Sequence, residues 1–180
     1  MTLTNFTRIG LLFIMIVAAA LTRLLPHPPN LTAIGAIALF GGACISNRWI
    51  AIGMTLAALA ISDLFLGVYE LLPVVYLSFL ISFLLGRWLR SHRNLANTVY
   101  VVLAGAIQFF LITNFACWWY YYPHTPAGLI SCLTLAIPFF QYTLLGDLLY
   151  VTALFGGLAL VERSLPAIRE EIAALSTLKN

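Results

Sequence analysis

Of the 180 residues, 62% are hydrophobic and only 8% charged, a composition that a water-soluble domain of this size could not carry without exposing large apolar patches. Lipid is therefore the expected solvent. Each crossing of a roughly 30 Å hydrocarbon core takes about 20 helical residues, so the length allows one bundle and no separate soluble domain. The formal charge of +3 does not point to nucleic acid, because the basic residues neither form a dense run nor alternate with aromatics.

Residues 6–25 are apolar apart from Arg8 and Arg23, whose long stems can reach the two interfaces, and read as the first membrane span. The stretch also imitates a secretory signal, with Arg8 ahead of an apolar run and Ala18-Ala19-Ala20 as a small-residue cleavage site; the span that follows argues for an uncleaved helix. Pro26, Pro28 and Pro29 stop that helix, since proline lacks the amide donor and restricts its predecessor. Residues 31–46 form a short second span rich in Gly and Ala, Asn47 and Arg48 a tight return, and residues 49–67 the third. Residues 71–89 make the fourth, closing in Arg87, Arg90 and Arg93.

From Asn94 to Gly146 there is no Asp, Glu, Lys or Arg, and the fifth span is set at residues 95–117. The run Trp118, Trp119, Tyr120, Tyr121, Tyr122 with Pro123 and Pro126 marks an interface and a break. Residues 127–137 are too short to cross and are expected at the surface or as a re-entrant piece. The sixth span is set at residues 138–161 and a cytoplasmic tail at residues 162–180. Six spans put every Lys and Arg except Arg23 on one side, which the positive-inside rule makes cytoplasmic, with both termini there. The expectation is an all-α integral membrane protein, a six-transmembrane-helix bundle in a bacterial cytoplasmic membrane.

With that orientation, Arg23, His27, Asn30, Asp63, Glu70, Asn114, Trp118, Trp119, Tyr122 and His124 fall in or near the outer half. Asp147 lies nearer the centre of its span. A lone carboxylate there costs about 2.5–3.5 kcal/mol on insertion scales, so it should face protein or water. Thr143, Asp147 and Tyr150 share one helical face, and Ala60, Asp63 and Gly67 share another. Either acid can serve a ligand or act as structural polar glue. The aromatic run reads as an interfacial belt or as a pocket wall. His27 and His124 have no metal-ligand spacing and read as loop residues. Cys44, Cys117 and Cys132 are too widely spaced for a zinc ribbon or a redox pair and read as apolar packers, with a Cys117–Cys132 pairing as the alternative. Small residues four apart (Ala38, Gly42 and Ser46; Gly53 and Ala57; Ala153 and Gly157) permit close helix contacts. There is no P-loop, H-E-x-x-H, G-x-S-x-G or dinucleotide fingerprint, and no cofactor is indicated.

The run Arg23-Leu-Leu-Pro-His-Pro-Pro-Asn30-Leu-Thr-Ala-Ile-Gly-Ala-Ile-Ala-Leu-Phe-Gly-Gly-Ala43, then Ser62-Asp63-Leu-Phe-Leu-Gly67, Ala136-Ile-Pro-Phe-Phe140 and Thr143-Leu-Leu-Gly-Asp147, resembles a family of small uncharacterised bacterial membrane proteins. That family in turn resembles the S components of energy-coupling-factor (ECF) vitamin transporters. The resemblance implies six helices with both ends inside, and an outer pocket closed by the Pro26–Asn30, Gly67–Glu70 and Trp118–Pro126 segments. It also implies a small vitamin-like ligand and an energising module as partner. The sequence departs from S components in lacking small contact residues on the inner half of its first helix, and from the nickel and cobalt S components in lacking an outward Met-His terminus. The expected substrate-binding set is Arg23, His27, Asn30, Asp63, Glu70, Asn114, Trp118, Trp119, Tyr122, His124, Thr143 and Asp147, with no metal and no covalent chemistry. Two rivals stay open: a structural or assembly subunit of a membrane complex, and a membrane-embedded enzyme using Asp63, Asp147 and His27.

Overall fold

A computed structural model describes residues 3–164, with side chains from Arg8 onward, and the fold is all-helical. Helix α1 is Leu3–Leu21, followed by a single 3-10 turn at Thr22–Leu24; α2 is Ile34–Cys44, α3 Arg48–Leu66, α4 Leu72–Ser91, α5 Leu95–Tyr121 and α6 Pro126–Ser164. Among the described residues, α3, α4, α5 and α6 are long and apolar enough to cross a membrane. The boundaries follow local chemistry. Asn47 caps α3 by accepting from the Trp49 and Ile50 amides, and Asn94 caps α5 by accepting from the Asn97 amide. Gly67, at φ 92°, ends α3 in a conformation that side chains resist. The tail expected over residues 162–180 lies outside the described residues beyond Ser164.

α2 is the hub. It packs against all five other helices, and every one of its residues except Gly35 is buried. At 11 residues it rises only about 16 Å, half of what a bilayer core requires, and it is led in by the extended, proline-rich segment that follows α1. Two glycines bring α2 onto α4. A Cβ on Gly42 would strike the Phe83 carbonyl, and one on Gly86 the Leu39 carbonyl. Of the small-residue pairs expected from spacing, Gly42 is used in this way, whereas Gly53 meets open space. The inward face of α3 carries Thr55, Leu59, Ser62 and Asp63. The expected stripe with Ala60 and Gly67 is therefore corrected, as both of those are exposed.

The separate surface or re-entrant piece expected over residues 127–137 is also corrected. α6 runs unbroken for 39 residues, with Pro138 inside it. Pro138 leaves the Thr134 carbonyl without its helical donor, but neighbouring helices let membrane helices tolerate proline. Here the segment lies along α5: Phe140 meets Phe110 edge-on at 5.2 Å, and the Cys132 thiol reaches the Asn114 carbonyl at 3.5 Å.

Candidate functional site

The two ends of α2 are built from opposite charges. At its C-terminus the carbonyls lack intrahelical donors, and arginines from three other elements supply them. Arg93 donates to the Ala43 carbonyl at 2.6 Å, Arg8 to Cys44 at 3.3 Å, and Arg87 to Ile45 at 3.0 Å. Arg90 donates to the Ser46 hydroxyl at 2.8 Å, and Arg8 is also paired with Glu162 at 3.1 Å. This end is closed and basic, as the helix dipole favours.

At the N-terminus stands one acid. Asp147 of α6 is 3% exposed and faces the first turn of α2, beside Ala36. The carboxylate lies directly over Gly35, where any Cβ would overlap its oxygens. Gly146 brings α6 this close, since a Cβ there would sit 2.9 Å from the Thr32 carbonyl oxygen. The Gly146-Asp147 pair and the Thr32–Gly35 segment thus form one junction, a carboxyl group over a helix N-terminus.

That junction opens into a cavity of about 310 Å³. Asn30, Thr32, Ser82, Thr113 and Thr143 give it neutral polar groups, and Tyr69, Phe79 and Phe109 give it rings. Arg23, also in the wall, is 7% exposed and pairs with Asp63 at 2.9 Å. Ser62 accepts from Arg23, and Asp63 accepts from the Tyr76 hydroxyl at 3.0 Å. Tyr69, in the loop before α4, has its phenol pKa pushed up by burial first and by the Asp63 charge second, so the hydroxyl stays protonated. A second cavity of about 320 Å³ shares Asn30, Phe109, Thr113 and Thr143 with the first and continues between α5 and α6 to Asn114, Cys117, Tyr122 and Cys132. Asn30 stands at the junction of the two with φ 66°, a left-handed conformation that asparagine tolerates.

The expected site residues divide accordingly. Arg23, Asn30, Thr143 and Asp147 line the inner cavity, and Asn114 and Tyr122 the outer one. Asp63 stands behind the wall and holds Arg23. Glu70 is exposed and accepts from the Tyr121 hydroxyl at 2.7 Å. His27 folds back on its own segment, with its ring nitrogens against the Pro28 and Arg23 carbonyls. Trp118, Trp119 and His124 form a self-contained turn, with the Trp118 indole donating to the Pro123 carbonyl and His124 stacked on Trp119 at 4.6 Å. These four line neither cavity.

Phe79, Ser82, Gly105, Phe109 and Thr113 escaped the sequence reading because they look like ordinary span residues. Ser82 carried one faint signal, lying on the same α4 face as Ser78, and Gln108 of α5 donates to both the Ser78 carbonyl and the Ser82 hydroxyl at 3.0 Å. Among the described residues no cluster of three or more His, Cys, Asp or Glu side chains could hold a metal. The three cysteines are free.

No curated protein and no solved structure matches the chain. Over residues 3–168 it matches the model of a family of unknown function, DUF6580, and the chain belongs to that family.

Proposed function

We propose, from the cavity rather than from the family, that this protein is a membrane-embedded binding protein that captures a small vitamin-like molecule, in the manner of an ECF S component. Its six helices lie in the bacterial cytoplasmic membrane with both termini inside. The cavity opens outward, and an energising module takes the ligand onward. The observation that carries this reading is the half-length α2, whose N-terminus and facing Asp147 line a cavity. Interrupted helices ending near the bilayer midplane are how membrane carriers present backbone dipoles to a ligand. Supporting it further, the arginines gather at the opposite end of α2, so the positive-inside rule turns the cavity outward. The inner cavity also falls in the range of about 300–1,000 Å³ usual for small-molecule sites.

The test is a thermal-shift screen of the purified, folded protein against water-soluble vitamins and their precursors. A ligand at about 100 times its dissociation constant adds about 2.7 kcal/mol of stability, and at least one compound is expected to do so. Silence across the whole panel from well-folded protein would overturn the reading.

A structural or assembly subunit is favoured by one feature, an apolar groove on the α5–α6 pair lined by Leu111, Ile112, Phe115, Leu129 and Leu133. Stable co-purification with another membrane protein, combined with silence in the ligand screen, would select that alternative.

A further inference from the structure

We infer that the molecule held in the inner cavity is an organic cation, a quaternary ammonium or charged aromatic nitrogen, seated against Asp147 and the neighbouring rings. The inference rests on the binding reading above and names the charge of what is bound. Two charged side chains line the cavity, Arg23 and Asp147. Arg23 is already neutralised, because Asp63 pairs with it at 2.9 Å behind the wall. Asp147 has no such partner: among the described residues the ion pairs are Arg8–Glu162 and Arg23–Asp63. What faces Asp147 on the protein side is the N-terminus of α2, equivalent to about half a positive charge, so Asp147 in its ionised form leaves the cavity net negative. An anionic ligand would set like charges together away from water, where their repulsion is strong.

The rest of the lining suits an organic cation better than a bare metal ion. Phe79, Phe109 and Tyr69 are in the lining, and the faces of aromatic rings attract cations through their quadrupoles. The cavity of about 310 Å³ is far roomier than the tight oxygen cage a small hard cation requires.

The experiment is isothermal titration and thermal shift on the full-length protein in lipid nanodiscs. The probes are benzyltrimethylammonium and choline, their uncharged isosteres in which a quaternary carbon replaces the nitrogen, benzoate, and sodium chloride alone. Benzyltrimethylammonium is expected to bind at least about tenfold more tightly than its neutral isostere. Asp147→Asn, which keeps the size and shape of the side chain, should abolish that preference while leaving the weak binding of the isostere. Phe109→Leu should weaken the cation by a few-fold and leaves the acid junction intact, which keeps the test decisive if Asp147→Asn fails to fold. Equal or tighter binding of the isostere or of benzoate would overturn the charge assignment and leave the binding function standing. Stabilisation by sodium alone, lost in Asp147→Asn, would overturn it in favour of a bare ion. Silence toward every cation while a neutral or anionic vitamin binds would overturn it too, and silence toward everything would remove both inferences.

Discussion

The two ends of α2 differ in redundancy more than in charge. Its C-terminus is held by Arg8, Arg87, Arg90 and Arg93, so no single donor carries the end. Its N-terminus faces one carboxylate, and the adjoining cavity wall depends on one buried ion pair. The closed end is surrounded by donors, whereas the end that opens into the cavity has few groups against it.

The sharpest way to break this contrast is at Arg23 and Asp63. Asp63→Ala leaves a buried guanidinium without its partner and should cost about 3–5 kcal/mol, measured as loss of folded protein or of melting temperature. The double replacement Arg23→Met with Asp63→Leu should recover most of that stability, and a double variant no more stable than Asp63→Ala would show that the pair is not what holds the wall. Next comes the rod common to both ends. Gly86→Val drives a side chain into the Leu39 carbonyl and should cost about 1–3 kcal/mol by overpacking; an unchanged melting temperature would mean α2 and α4 do not cross so closely. The smallest effect belongs to the arginine end. Arg93→Gln removes one donor among several and should cost about 1 kcal/mol. A loss as large as that of Asp63→Ala would erase the difference in redundancy.

The sequence revealed the two ends unequally. Arginine positions alone predicted a basic side, because charge asymmetry is written directly into loops, and Arg8, Arg87, Arg90 and Arg93 do converge. Asp147 and Arg23 stood out as polar residues in apolar surroundings and both line the cavity. The junction itself was hidden. Gly35 and Gly146 matter through what lies against them across the bundle, and spacing along one helix says nothing of that. His27, Trp118, Trp119 and His124 line neither cavity: the ring nitrogens of His27, Trp118 and His124 meet backbone carbonyls nearby in the chain, and Trp119 stacks on His124. The break expected near Pro138 failed because a proline's lost hydrogen bond is a local cost that tertiary packing against α5 can offset.

The length of α6 has a mechanical consequence. Phe155 is level with Arg93, whose guanidinium lies 5.9 Å from its ring, so the helix continues past the arginine layer to Ser164. From Asp147 to that end is an uninterrupted arm of about 26 Å, free of proline and carrying Glu162 near its tip. A rotation of about 10° pivoting on the acid would sweep the tip through about 4–5 Å, given an arm of that length. The Arg8–Glu162 contact at 3.1 Å ties that tip to α1, so any such rotation would have to open it.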